Sequence, residues 1–158
     1  MEIKGEYHAQ TGTIYLYDIH GRHIREKHIF YYYAHECGHK YYHEYIGGNE
    51  LKNLLTLMSQ WPLQEERYSG YRVVRKIEEI FSDVFALFLR MRHYQAKGMK
   101  KAEKIRKALD KKAPGGVEFL KKSFKETSKN SNNKPSETYP VTHLDFERIE
   151  KIFGSNLL

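Results

Sequence analysis

The longest regular pattern of apolar residues lies between residues 71 and 97 and ends at Gly98. Its apolar positions recur every three or four residues, as on a helix that packs one wide face against a core. A second helical pattern runs from about residue 25 to residue 45 or 46, where Gly47-Gly48 is a typical helix end. We therefore predict two long central helices. The apolar stripe of the first comprises Val74, Ile77, Ile80, Phe81, Val84, Phe85, Phe88 and Leu89.

The N-terminal residues predict a strand, a turn and a strand. Residues 6–9 and 13–19 form the strands, the second of them rich in β-forming residues, and Gly12 supplies the turn. Shorter helices are predicted over residues 49–63, 99–112, 117–125 and 144–153, with Asn49 as the N-cap of the first and Pro62 as its breaker. The fold class that follows is α+β, with a small twisted N-terminal sheet packed on the two central helices and further helices behind.

Composition divides the chain near its C-terminus. Residues 127–137 are dense in Ser, Asn and Lys, which is typical of a flexible linker. We therefore predict one domain over residues 1–126, a linker over 127–137, and a C-terminal helical segment over 138–158 that closes on or near the functional site.

The chain of 158 residues is long enough for one domain with its own core. Its single cysteine, Cys37, forms no internal disulfide, and nothing indicates an oxidising compartment. The first eight residues are polar and contain no apolar segment typical of a leader peptide. The most hydrophobic run, residues 84–89, is too short to cross a bilayer. We expect a cytoplasmic protein without a membrane span.

The net charge of +7 is concentrated in the middle of the chain. Residues 90–126 contain 13 Lys and Arg against 4 Asp and Glu, whereas residues 1–89 contain 10 against 12. A basic block is most often the solvated face of a surface helix, but it can also bind nucleic acid or another anionic surface. Nucleic-acid binding through residues 90–126 is kept as an alternative.

Residues 35–39, His-Glu-Cys-Gly-His, lie within the second predicted helix. Histidines four residues apart share one helix face, about 6 Å apart along the axis, so both imidazoles can reach one metal ion. Glu36 is rotated by about 100° from His35 and can take a proton from water at the open position of the ion. His43 continues the ridge, but about 12 Å of rise from His35 excludes it as a ligand. The motif predicts a metal site that requires a third ligand.

Acidic residues of the other long helix supply that ligand. Glu79 and Asp83 are four residues apart on one face, which borders the apolar stripe. One carboxylate can complete the protein ligands of the ion, and the other can accept the free N–H of a ligand histidine. Glu78 is an alternative ligand. Two imidazoles and one carboxylate leave a fourth position for water, as in a catalytic zinc site.

The HExxH motif of residues 35–39 and the ExxxD motif of residues 79–83 together resemble those of the gluzincin metallopeptidases. The resemblance implies that His35, His39 and Glu79 bind Zn²⁺. It further implies that Glu36 is the general base and that Asp83 orients a ligand histidine. In such enzymes the strand that leads into the active-site helix, here residues 13–19, lies over the cleft and pairs with an extended substrate.

A third segment extends the resemblance. Residues 139–149 are similar to a stretch of the heat-shock and CAAX-prenyl proteases whose His and Arg reach the active site, although Leu144 stands where the family has proline. His143 and Arg148 are therefore candidate catalytic residues that stabilise the oxyanion, and Tyr68 or Tyr71 are further candidates for this role. In size the chain resembles the soluble minigluzincins. The motif pair also resembles that of ImmA/IrrE-type regulatory peptidases.

These observations predict a zinc-dependent endopeptidase that acts on a peptide or protein. The predicted linker permits the C-terminal segment to fold over the cleft and hold the enzyme latent. Two alternatives remain. One is a regulatory peptidase that acts on a DNA-binding repressor, and the other is a nucleic-acid-binding module that is stabilised by a metal and has no turnover.

Overall fold

A computed structural model of the chain describes residues 3–18, 26–62 and 70–131, and the side chains of residues 5–15, 31–62 and 70–126. The predicted α+β class is confirmed, because a two-stranded antiparallel hairpin precedes a series of helices. In chain order the elements are β1 (Ile3–His8), β2 (Thr13–Asp18), α1 (Glu26–Tyr45), α2 (Gly48–Met58), α3 (Val73–Ala96), α4 (Lys101–Lys112) and α5 (Gly116–Ser131).

The hairpin lies against α1. Its register runs from Ile3 opposite Asp18 to His8 opposite Thr13. Gly12 adopts a left-handed φ of 66° in the turn, where its N–H donates to the His8 carbonyl at 2.8 Å. The Lys40 ammonium of α1 donates to the Gly12 carbonyl at 2.9 Å. The turn is thereby attached to the helix that carries the HExxH motif.

Helices α1 and α3 pack closely because α1 has no side chain at Gly38. A Cβ atom at this position would lie 2.7 Å from the Ser82 Cα and 3.2 Å from the Phe85 Cβ of α3. Around this contact, Tyr41 and Phe85 are fully buried and their ring centroids are 5.3 Å apart. Gly38 therefore sets the short distance between the two helices that carry the predicted motifs.

The C-terminal helices cover the other side of α3. Phe124 of α5 has its ring centroid 5.2 Å from that of Tyr41 and 5.3 Å from that of Phe88. The Trp61 indole donates to the Pro114 carbonyl at 3.0 Å and ties the end of α2 to the loop between α4 and α5. On α4, Leu109 is buried. The exposed lysines on α4 and directly before it are Lys100, Lys101, Lys104, Lys107, Lys111 and Lys112.

Several predicted details differ from the structure, among them the end of the helix predicted over residues 49–63, which lies at Met58. Asn49 is not an N-cap, because α2 begins one residue earlier and the extended Gly47 precedes it without a side-chain cap. Val74 is 72% exposed, since the first turn of α3 extends past the core. Helix α5 ends at Ser131, so its backbone includes the first five residues of the predicted linker. The remaining linker and the segment 138–158 lie outside the described residues.

Within the described residues, every helix is either too short or too polar to cross a membrane.

Candidate metal centre

Three potential ligands converge between α1 and α3. The Nε2 atoms of His35 and His39 are 3.2 Å apart, as expected for residues one helical turn apart on one face. From α3, the Glu79 carboxylate places one oxygen 2.9 Å from His35 Nε2 and the other 3.4 Å from His39 Nε2. One ligand atom from each residue lies within 4.8 Å of the others. Since a shared ion brings its ligands this close, the group can hold a metal ion.

A second carboxylate contacts each imidazole on its other nitrogen. Asp83 Oδ1 lies 2.9 Å from His35 Nδ1, and Glu78 Oε1 lies 2.8 Å from His39 Nδ1. A proton on Nδ1 that is shared with a carboxylate leaves the Nε2 lone pair free for an ion and increases its basicity. Both imidazoles are thus oriented toward the same point. Glu78, the alternative ligand in the sequence analysis, contacts the outer nitrogen of His39 instead.

His43 extends this network to the surface. Its Nε2 lies 2.6 Å from the same Glu78 oxygen that contacts His39. The Tyr7 ring of β1 lies 5.7 Å from the His43 ring, and its hydroxyl donates to Glu44 at 3.0 Å. His43 was excluded as a ligand by its distance from His35 along the helix, and the sequence predicted no other role for it. The sequence did show that His35, His39 and His43 share one helix face. Only the packing of α3, however, places Glu78 between His39 and His43.

The electrostatics of the cluster favour a cation. Burial lowers the pKa of His35, but hydrogen bonds with Asp83 and Glu79 outweigh it and raise this pKa to about 9. For His39, contacts with Glu78 and Glu79 likewise outweigh burial and raise the pKa to about 9. Burial raises the pKa of Glu79, yet the two imidazoles hold it well below its usual range. Positive charge is therefore stabilised here, whether as protons or as a metal ion.

Glu36 is buried beside this cluster, with 7% of its surface exposed. Burial raises the pKa of its carboxyl group, and the charges of His39 and His35 oppose this rise. The backbone of β1 passes directly over it. A Cβ atom at Gly5 would lie 2.7 Å from the Glu36 Cγ and 2.9 Å from its Oε1. The missing side chain at Gly5 thus leaves the space that the Glu36 carboxylate occupies.

An open cleft of about 400 Å³ gives access to these groups. Among the described side chains, the strand that lines it is β1 and not β2. The hairpin thus turns its first strand toward the gap between α1 and α3. The expectation that residues 13–19 lie over the cleft stays a prediction, because the side chains of residues 16–19 lie outside the described ones. The lining residues are Gly5, Glu6, Tyr7, His8, Ala9, Glu36, His39, His43, Arg75, Glu78 and Glu79.

The proposed oxyanion-binding residues are not brought to the cleft by the described part of the chain. His143, Arg148 and Tyr68 lie outside the described residues. Tyr71 is exposed ahead of α3, and it does not line the cleft. The cleft does contain Arg75, which the sequence analysis missed. Its position one turn before Glu79, on the same helix face, is the sequence signal by which it could have been found.

No protein-family model matches the chain, and neither a search of curated proteins nor a search of solved structures finds a match. Its function must therefore be inferred from the geometry of the residues themselves.

Proposed function

We propose that the chain is a gluzincin-like zinc metallopeptidase that hydrolyses bonds within a peptide or protein. One observation carries the proposal. The imidazoles of His35 and His39 and the carboxylate of Glu79 converge between two helices, and the buried Glu36 lines the same cleft. A purely structural metal site has no need of such a carboxylate, whereas a hydrolytic site requires a base beside its ion.

The donor set favours zinc over calcium and magnesium. Two imidazole nitrogens and one carboxylate are the ligands of many catalytic zinc sites, whereas calcium and magnesium prefer oxygen ligands alone. The contacts of Asp83 and Glu78 with the outer nitrogens support this choice, since zinc-bound histidines usually donate their second N–H to a carboxylate or carbonyl.

In the proposed reaction, Glu36 moves the proton. Zinc, when bound, would polarise the scissile carbonyl and lower the pKa of water toward about 7. Glu36 takes a proton from the attacking water as the new C–O bond forms, and it delivers that proton to the leaving amine as the C–N bond breaks. The raised pKa of its buried carboxyl group helps it to hold the proton between the two transfers.

The position of β1 supports an extended substrate. In the described sheet β1 pairs only with β2, so its second edge has no strand partner among the described residues. Residues 5–9 of β1 and the turn line the cleft, and Gly5 lies directly over Glu36. A substrate that pairs with this edge would pass in front of Glu36, with main-chain hydrogen bonds holding it in place.

Zinc content and peptidase activity together test the proposal. We expect one zinc ion per wild-type chain and loss of that ion in Glu79→Ala. Glu36→Gln should keep its zinc and lose activity by about 10²- to 10⁴-fold, the usual effect of removing a general base. A Glu36→Gln protein that cleaves casein or a peptide library as fast as wild type would contradict the assignment of the base. Full zinc occupancy in Glu79→Ala would contradict the ligand set.

The C-terminal segment, residues 138–158, is proposed to hold the enzyme latent. Truncation after Ser131, where α5 ends, keeps the described helices intact and should raise peptidase activity. Loss of activity on truncation would instead mean that the segment supplies catalytic groups such as His143 and Arg148. Zinc content, measured on the same truncated protein, controls for damage to the metal site.

A second candidate function rests on the exposed lysines of α4 together with Lys100, which directly precedes it. Six of them are exposed between residues 100 and 112, and a face of this charge suits nucleic acid. Binding there would fit a regulatory peptidase that acts at a repressor–DNA complex, or a metal-stabilised module without turnover. Binding to duplex DNA that weakens steeply with salt would support this candidate, and absence of binding at low salt would exclude it.

A further inference from the structure

Arg75 is the one arginine or lysine among the described residues that line the cleft. It lies on α3 four residues before Glu79, and this spacing places both side chains on one helix face about 6 Å apart along the axis. A group bound by Arg75 would therefore lie beside the metal centre. On an extended peptide, this distance corresponds to one or two residues from the scissile bond.

Within the described residues, the guanidinium group of Arg75 has no carboxylate partner. It lies over the Tyr71 ring, 4.5 Å from the centroid, which holds the side chain by a cation–π contact. Glu78 and Glu79 follow it at the spacing of helical ion pairs, yet neither forms one with it, and no other described carboxylate lies within ion-pair distance of its nitrogens. A guanidinium stacked by its face keeps its edge donors free, and those donors match a carboxylate.

The remainder of the cleft is acidic. Glu6, Glu36, Glu78 and Glu79 all line it, so its walls repel a negatively charged ligand except near the metal centre and Arg75. An anionic group of a substrate is consequently directed to one place, next to the guanidinium. Neutral parts of the peptide have no such restriction.

We propose that Arg75 binds a carboxylate of the substrate and so selects peptides with a negative charge within two residues of the scissile bond. The carboxylate is either the α-carboxylate of the substrate or an acidic side chain, which share the same chemistry. This inference rests on the proposed peptidase function. Arg75 acts as a specificity-determining residue, and Glu36 remains the proton carrier.

Four pentapeptides that differ only in the fourth residue and in the C-terminal group distinguish the two sources of the carboxylate. Each peptide has alanine at every position except the fourth, which is Asp or Asn. Its C-terminus is either a free acid or an amide, and its N-terminus carries fluorescein. Their dissociation constants are measured by fluorescence anisotropy on zinc-loaded Glu36→Gln, which binds without cleaving. We expect the free acid or the Asp peptide to bind about tenfold more tightly than its neutral partner, as for one charge-assisted contact.

Substitution of Arg75 then assigns the preference to its side chain. In the Glu36→Gln background, Arg75→Gln should abolish the tenfold difference and Arg75→Lys should restore part of it. Arg72→Gln is the matched control, because Arg72 is an exposed arginine at the N-cap of the same helix that does not line the cleft. Two results would overturn the inference. One is equal binding of all four peptides to Glu36→Gln with Arg75 intact, and the other is an unchanged preference after the Arg75→Gln substitution.

Cleavage by the active enzyme separates this inference from the proposed function. On a library of peptides, zinc-loaded wild type should favour cleavage sites with a carboxylate within two residues, and Arg75→Gln should lose that preference through KM while kcat changes little. Absence of any cleavage by wild type refutes the peptidase function alone, since the anisotropy measurement still decides whether Arg75 binds a carboxylate.

Discussion

A methyl group at Gly38 should separate the two helices that form the candidate metal centre. In Gly38→Ala, the new Cβ would lie 2.7 Å from the Ser82 Cα and 3.0 Å from the Ser82 Cβ. The nearest atom belongs to the backbone of α3 and cannot rotate away, so the helices themselves must move. Ser82 lies between Glu79 and Asp83 in α3, and Gly38 directly precedes His39.

The expected cost combines two opposing effects. Overpacking of this kind destabilises a protein by about 1–3 kcal/mol. Alanine in a helix interior is about 1 kcal/mol more favourable than glycine, which offsets part of that cost. We therefore expect Gly38→Ala to lower the free energy of unfolding by roughly 1 kcal/mol and Tm by roughly 3 °C in a chain of this size. Its zinc affinity should fall by at least about tenfold, because Glu79 moves away from both imidazoles.

Thermal unfolding of the metal-free protein, followed by circular dichroism, measures the stability change, and titration against a zinc chelator measures the affinity. Gly70→Ala is the control, because a Cβ there would meet nothing within 4 Å. It should leave zinc affinity unchanged. A Gly38→Ala protein that binds zinc as tightly as wild type and is more stable would refute the idea that this glycine sets the helix separation.

Three further predictions follow from the same site. Glu78→Gln and Asp83→Asn should each weaken zinc binding by about 10- to 100-fold, because each carboxylate orients one ligand imidazole; equal affinity in a chelator titration would contradict this. Since the pKa values of both ligand imidazoles are raised from about 6.5 to about 9, their protonation stabilises the metal-free protein fully below pH 6.5, and this stability is lost as the pH rises through 9. Over that interval the metal-free Tm should fall while zinc affinity rises, and a metal-free Tm that increases would contradict the assigned contacts. Gly5→Ala should displace the Glu36 carboxylate and lower kcat with zinc content unchanged, whereas an unaltered kcat would show that the side chain moves away without consequence.

The sequence by itself predicted the elements and the three residues that the structure brings within reach of one metal ion. The apolar stripe and the glycines that follow each helix predicted α1 and α3 to within about two residues, because periodicity and helix ends are local properties. The separation of His35 and His39 follows from helix geometry alone, so their convergence needed no tertiary information. Glu79, which the sequence favoured over Glu78, is the carboxylate that converges with both Nε2 atoms, and its role as a ligand stays a prediction.

Only the tertiary structure decided which residues surround those ligands. Helix spacing fixes distances within α1 and within α3, but it leaves free the rotation and separation of the two helices. The contact between Gly38 and Ser82 fixes both, and it places Glu78 on the outer nitrogen of His39. The N-terminal sequence pattern likewise predicts two strands, but it does not predict which of them faces the cleft. That choice, and with it the position of Gly5 over Glu36, depends on how the sheet packs on α1, which no local pattern encodes.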